Sequence, residues 1–369
     1  MKNEWIYEKL DDVCSVDYGT RVVQKKDKGS KYYVYGGGGA TFMVDTYNRE
    51  DCFVVARFAM SPKCTRFVSG KFFLNDSGLS VSTKSTKLLQ SFVNKVLLAN
   101  NDTIYNMGKG MAQKNLDMPS FRNLDIPVPP LQEQERIVAE LDLLTGIIDK
   151  QKQQLKELDT LAQSIFYDMF GNPVENDKGW EKKQIGKICT SKKQIQRASK
   201  RFKDSDIIRY IDISSIDNIN NVMTSTTSYG FGDAPSRAQQ VVEIGDVLIS
   251  LVRPNLNNVA MVSEDGTDLV ASSGFCVLRA NCEIVKEFLF YSVKMKCFTD
   301  YLMQRVSGAN YPAVREDDIM GYNIILPPLE LQESFAQKIQ SIESQKQSIN
   351  RSIAESQKLF DYTMDKYFC

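Results

Sequence analysis

Ten lysines and arginines fall between Lys178 and Lys203, against a single acid, Glu181. Such a run neutralises phosphates and makes binding to a polyanion salt-dependent. It contains Lys192, Lys193 and Arg197. A weaker counterpart, Arg21, Lys25, Lys26, Lys28 and Lys31 against Asp27, lies near the start of the chain. Base edges are read by Arg, Lys, Asn and Gln side chains carried on loops. Residues of these types in turn-rich segments are Arg57, Lys109, Gln113 and Lys114 in the first half. In the second half they are Arg237, Arg253, Asn255, Asn257 and Asn310. Any one of them is also compatible with an ordinary surface or turn role. The run Gly36-Gly37-Gly38-Gly39 lacks the Lys-Ser/Thr of a phosphate-binding loop and the spacing of a dinucleotide fingerprint. It reads as a flexible turn, or as backbone at Gly37 and Gly38 able to approach a nucleic-acid phosphate closely.

Other chemistries are excluded by what is missing. There is no histidine, and none of the eight cysteines forms a CxxC pair. Cys/His zinc sites, Ser-His-Asp and Cys-His triads and histidine bases are therefore out. No Asn- or Asp-Pro-Pro-Tyr/Phe tetrapeptide is present, and no acidic cluster with a spaced lysine suggests a nuclease. The expectation is a non-catalytic chain with no metal site. Net charge is zero but uneven: residues 1–128 hold 18 Lys and Arg against 13 acids, and residues 129–175 hold 4 against 9. No apolar run approaches the roughly 18–20 residues needed to span a bilayer, and Met1–Trp5 shows no apolar signal core. A cytoplasmic protein without membrane contact is expected.

The elements that must position these side chains come in two copies. Ile126-Pro127-Val128-Pro129-Pro130-Leu131-Gln132-Glu133-Gln134-Glu135 returns, degraded, as Ile324-Ile325-Leu326-Pro327-Pro328-Leu329-Glu330-Leu331-Gln332-Glu333, offset by 198 residues. After the first copy, Ile137, Leu141, Leu144, Ile148, Gln151, Leu155 and Leu158 step by fours and threes, a heptad seam with one polar interruption. After the second, Phe335, Ile339, Ile342, Lys346, Ile349 and Ile353 sit in the same phase. Gly171-Asn172-Pro173 predicts the end of the first helix. The second helix is expected to be shorter. The similarity of residues 165–169 to 359–363 suggests four residues lost from it. Helices of this length need a partner, and two in one chain most simply pack on each other, with pairing between chains as the competing arrangement.

The segments before each helix read as mixed α/β, with β-rich runs such as Cys52–Ala56 and Asp246–Leu251. They open alike, Trp5–Cys14 against Trp180–Cys189, and diverge in the middle. The expected organisation is residues 1–128 and 176–326 as globular domains, and 129–175 and 327–369 as helical segments. The fold class is mixed α+β with a tandem, pseudo-two-fold duplication.

The two proline-proline-leucine motifs, the preceding Gly108–Leu116 and Ser307–Pro312, and Gly245–Ser250 together resemble the specificity subunits of type I restriction–modification systems. The resemblance covers nearly the whole chain. It implies two target-recognition domains, each reading half of a bipartite double-stranded DNA site. It also implies two long antiparallel coiled-coil helices that act as a ruler and dock two methyltransferase subunits. Restriction/translocase subunits would complete the complex. S-adenosylmethionine, ATP and Mg2+ would then sit on those partners, with no cofactor in this chain. The second copy departs from the pattern at Leu331 and Ser334-Phe335. A coiled-coil scaffold carrying two ligand-binding domains unrelated to DNA is the alternative that the residues leave open.

Overall fold

The computed structural model describes residues 5–190, 194–307 and 312–368. The chain divides into two compact units, and neither is contiguous in sequence. One comprises residues 1–153 and 349–369, the other residues 154–348. Each therefore owns half of each long helix.

The long helices run Leu131–Phe170 and Leu329–Phe368, 40 residues each. The second is thus not shorter, and the offset of 198 holds at both ends. The tail stays helical to Phe368 because Met364 and Tyr367 are buried in the core of the first unit. The apparent loss of four residues is a chance local likeness, not a deletion. Gly171, at φ +74°, ends the first helix in the left-handed conformation that glycine tolerates best.

The helices pack antiparallel. In the first unit the Arg136 guanidinium donates to Tyr367 Oη (3.0 Å) and Gln151 Nε2 donates to Ser352 Oγ (2.7 Å). In the second, Lys346 Nζ pairs with Asp159 (3.0 Å) and Phe166 meets Phe335, ring centroids 5.5 Å apart. Residue numbers rise along one helix as they fall along the other. The seam residues Ile137, Leu141, Ile148, Phe335, Ile339 and Ile342 are buried. Leu144, Gln151, Leu155, Leu158, Ile349 and Ile353 are half-buried. Gln151 keeps its Oε1 buried with no hydrogen-bond partner among the described residues. Such a group is costly to leave unpaired.

A shared frame joins each helix to its globular part. Ile6–Lys9 pairs antiparallel with Asp125–Val128, and Glu181–Gln184 pairs with Asn323–Leu326. The proline pair follows each ribbon, where a proline needs no helical N–H partner. One turn later comes a fully buried glutamine. Gln134 Oε1 accepts from the Leu89 amide (2.9 Å), and its Nε2 donates to Lys87 O and Pro129 O (both 2.8 Å). Gln332 repeats this with the Val285 amide (2.9 Å), Glu283 O (3.4 Å) and Pro327 O (2.8 Å). Leu89 and Val285 directly precede the helices Gln90–Ala99 and Lys286–Lys294. The glutamine thus locks the start of each long helix to the start of the helix packed against it.

Between these shared ends the units differ. The first carries one six-stranded sheet in the order Cys14–Tyr18, Gly78–Thr83, Arg49–Ala56, Thr65–Leu74, Tyr32–Gly36, Gly39–Val44. The second carries two four-stranded sheets. One holds Cys189–Thr190, Phe275–Ala280, Val247–Ser250 and Val259–Met261. The other holds Thr227–Gly230, Ile207–Ile211, Leu269–Ser272 and Ala238–Val241.

Candidate nucleic-acid interface

In the first unit, the strand Arg49–Ala56 runs out into a loop, Arg57 to Met60. A small hairpin, Gly108–Lys109 paired with Asn115–Leu116, closes on it. The Leu116 amide donates to Arg57 O (2.9 Å) and the Met60 amide to Lys114 O (3.0 Å). In the second unit, Val247–Ser250 runs out into Leu251 to Asn257, and residues Pro312 to Val314, with Ala313 bridged to Ser307 and Val252, close on it. There the Val314 amide donates to Leu251 O (2.9 Å) and the Arg253 amide to Pro312 O (2.7 Å). The partners 116 and 314, and 114 and 312, are again 198 apart. Ala59 (φ +47°) and Arg253 (φ +50°) both lie three residues past the strand, though the amide that bonds the second segment is that of Met60 in one unit and of Arg253 itself in the other. Both are left-handed residues other than glycine, a conformation that costs about 1–2 kcal/mol. The two units thus build the same crossing of two loops, and non-glycine strain of this kind concentrates where function demands a fixed backbone.

This crossing gathers many of the side chains that the sequence singles out. Arg57 lies over the Tyr18 and Phe58 rings (4.6 and 4.2 Å to the centroids) and donates to Asp76 O (3.4 Å). Lys109 pairs with Asp117 (2.9 Å) yet stays largely exposed. The Ser120 hydroxyl, and then Lys109, hold the Asp117 carboxyl below its usual range. Lys114 sits over the Tyr105 ring (4.0 Å), and Gln113 is exposed. The glycine run forms the tight hairpin between Tyr32–Gly36 and Gly39–Val44, with Gly36 opposite Gly39. It abuts the same loop: a Cβ on Gly37 would lie 2.6 Å from Phe58 O.

In the second unit Arg253 and Asn255 are exposed around the short turn Pro254–Leu256. Two expectations need correction. Gly37 is buried, its amide donates to Ser77 Oγ (3.1 Å) and its carbonyl accepts from Arg66 (3.0 Å), so it offers no free N–H to a phosphate. Gly38 is exposed, with open space around it. The Asn257 side chain is committed within the fold. Its Nδ2 donates to Lys294 O (3.2 Å) and its Oδ1 accepts from Thr299 Oγ1 (3.4 Å). Asn218 and Asn221 tie the same turn down through Leu256 O (3.0 Å) and Asn257 O (2.8 Å). The asparagine-rich run 217–221 is the signal that could have revealed this clamp.

The remaining candidates lie away from the crossing. Arg21 lines a groove with Lys26, Asp27 and Asp45, and Lys25 is exposed on the adjoining turn of helix. Arg197 lines a pocket of about 280 Å³ with Phe231, Ser236 and Gln239; Arg237 is exposed beside it. Lys192, Lys193 and Asn310 lie outside the described residues. Among the described residues no cluster of three or more His, Cys, Asp or Glu could hold a metal ion, and no helix is long and apolar enough to cross a membrane.

The family model for the type I restriction modification DNA specificity domain matches residues 2–160 and 177–356. The chain belongs to this family. The two matched segments take in both frames and both loop crossings. The specificity subunit of the type I restriction enzyme MjaVIII of Methanocaldococcus jannaschii is 26% identical over 304 residues, 75% of this chain and 70% of that subunit. That of HindI of Haemophilus influenzae is 24% identical over 159 residues, 42% of this chain and 33% of its own length. The fold is that of the type I restriction-modification S subunit from M. genitalium, with a TM-score of 0.59 at 14% identity, covering 99% of this chain and 96% of that one. A chain of another type I restriction-modification system gives 0.51 at 19% identity, covering 99% and 97%. The chain is thus a type I specificity subunit with two target-recognition domains.

Proposed function

We propose that each unit reads one half of a two-part double-stranded DNA site, and that the loop crossing is where it does so. The observation that carries this reading is the recurrence of that crossing, strained residue included, in two domains whose sheets otherwise differ. In the first unit Arg57, Lys109, Gln113 and Lys114 would face the bases and phosphates, with Gly38 close to the backbone. In the second, Arg253, Asn255 and Asn310 would do so. Arg21, Lys25, Lys192, Lys193, Arg197 and Arg237 would add phosphate contacts that set affinity and salt dependence without reading sequence.

The exposed faces of the paired helices would dock two methyltransferase subunits, to which restriction/translocase subunits attach. S-adenosylmethionine, ATP and Mg2+ belong to those partners in this reading, and this chain supplies no catalytic group.

The test is modified-base sequencing of DNA from cells carrying the chain with a cognate methyltransferase, and from cells with the methyltransferase alone. Adenine methylation at a two-part motif with a fixed gap should appear only with the chain. Methylation that is unchanged by the chain would overturn the proposal. Arg253→Ala should degrade recognition in one half-site only, since a good bidentate base contact contributes about 1–3 kcal/mol of discrimination.

A further inference from the structure

Met111 is fully exposed, and no other large hydrophobic side chain among the described residues is as open to solvent. A single exposed apolar residue ordinarily needs no explanation. The setting of this one does. It stands at the tip of the Gly108–Leu116 hairpin, with Ala112 and Gln113 beside it, all three exposed. The base of that hairpin is fixed by the Leu116 and Met60 amides, by the ion pair of Lys109 with Asp117 and by Lys114 on Tyr105. Gly110, at φ +122°, turns the chain into the tip, and a Cβ there would lie 2.3 Å from Gln113 O. The residues that flank the tip, Lys109 and Lys114, are cations, and no acid lies between them. The result is an apolar point on a braced stalk inside a cationic collar.

A polyanion with an apolar interior complements such a shape, and a DNA duplex is that object. Side chains of this type can insert between base pairs, unstack a step and kink the helix. Methionine suits the role because it is unbranched and polarisable and adapts to an irregular gap. We propose that Met111 is a wedge that enters the half-site read by the first unit and opens one base step. This deepens the proposed function and rests on it. The repeat places Ala309 at the corresponding position in the second half. The wedge is therefore proposed for the half-site read by the first unit.

The experiment uses the complete complex with its methyltransferase and duplexes carrying the site found by sequencing. 2-Aminopurine is placed in turn at each position of both half-sites except the methylated adenines. Wild type should show an emission rise at one step in one half-site. Met111→Ala should abolish that rise and weaken cognate binding on the order of tenfold, while binding to random duplex stays unchanged. Met111→Leu should restore most of both. The thermal transition should be the same for all three, because the side chain packs against nothing.

An emission rise that survives in Met111→Ala, or that is absent from wild type, would overturn the wedge. So would a Met111→Ala complex that assembles poorly without DNA, which would assign the tip to a protein partner. If wild type itself fails to distinguish cognate from random duplex, the DNA-reading proposal falls with it. The two failures are therefore distinguishable.

Discussion

The two units agree at their edges and disagree in their middles. Both close a two-stranded ribbon next to a proline pair, both bury a glutamine under the first turn of a long helix, and both cross two loops through a left-handed residue. Between these points one unit lays out six strands in one sheet and the other splits eight into two sheets. The helix pair shows a contrast of its own. Ile148 is buried in the seam of the first unit, and the residue 198 positions on, Lys346, is equally buried in the second. Lys346 survives there because Asp159 (3.0 Å) and Glu343 (3.1 Å) pair with it. Asp159 also faces Lys294 at 3.6 Å, whose ammonium burial disfavours. The same seam position is thus filled by an apolar side chain in one unit and by a paired lysine in the other. The middles differ even though each packs its sheet residues, such as Val55 and Val247, into the same core as the frame.

The comparison can be broken first at the glutamines. Gln134→Ala and Gln332→Ala each strand one buried amide and leave two carbonyls without their donor, at about 3 kcal/mol per substitution. The two losses should match, each confined to its own unit, as read by hydrogen exchange of peptides from that unit. A loss in one unit only would show that the two frames are not equivalent.

A smaller and one-sided effect is expected at Asp159. Asp159→Asn leaves Lys346 with Glu343 alone and Lys294 facing a neutral amide. Asp159 is about a third exposed, so solvent screens part of the interaction and the cost is about 2 kcal/mol. It should appear only in peptides of the second unit. Lys346→Ile, which copies the first unit, should cost less, since it removes a buried charge instead of orphaning one. The reverse order would mean that the ion cluster is not what holds this half of the seam.

How much of this was legible in the sequence follows from what each signal depends on. The 198-residue offset, the heptad phase and the stop at Gly171 are local patterns, and local patterns survive in a single sequence. Gln134 and Gln332 were in plain sight as the one glutamine shared by both motifs, but their partners Lys87, Leu89, Glu283 and Val285 lie more than 40 residues away, and only the fold joins them. Asn257 read as a base-reading amide because composition cannot tell a free side chain from one committed to Lys294 O. The second helix read as short because residues 359–363 resemble 165–169 in type, while burial at Met364 and Tyr367 is set by the core they meet. The candidate readers came out as a roster; that Arg57, Lys109 and Lys114 share one loop crossing while Arg197 and Arg237 share another edge is topology.

Arg253 offers a test in which stability and recognition move in opposite directions. Its left-handed backbone favours glycine by about 1 kcal/mol. Arg253→Gly should therefore raise the denaturation midpoint of the second unit slightly and degrade recognition of one half-site. Ala59→Gly, also three residues past its strand, should stabilise the first unit by a similar amount and leave recognition intact, because alanine has no side chain to offer a base. If both variants recognise DNA normally, the strain at 253 has no functional purpose.

The smallest effect separates the two crossings by pH. Asp117 binds the Ser120 hydroxyl and Lys109, which lowers its pKa in the folded state. The corresponding residue in the second unit is Arg315, so only the first crossing has this tie. A carboxyl whose folded pKa is depressed contributes stability that is fully present above its unfolded pKa and lost as pH falls through the folded value. On acidification below the ordinary aspartate range, the Gly108–Leu116 hairpin should loosen, seen as faster hydrogen exchange at residues 108–120. Asp117→Asn should remove that pH dependence and release Lys109, raising affinity for random duplex at low salt. An Asp117→Asn hairpin that still loosens on acidification would place the titrating group elsewhere and leave the brace beneath Met111 to the backbone bonds of Met60 and Leu116.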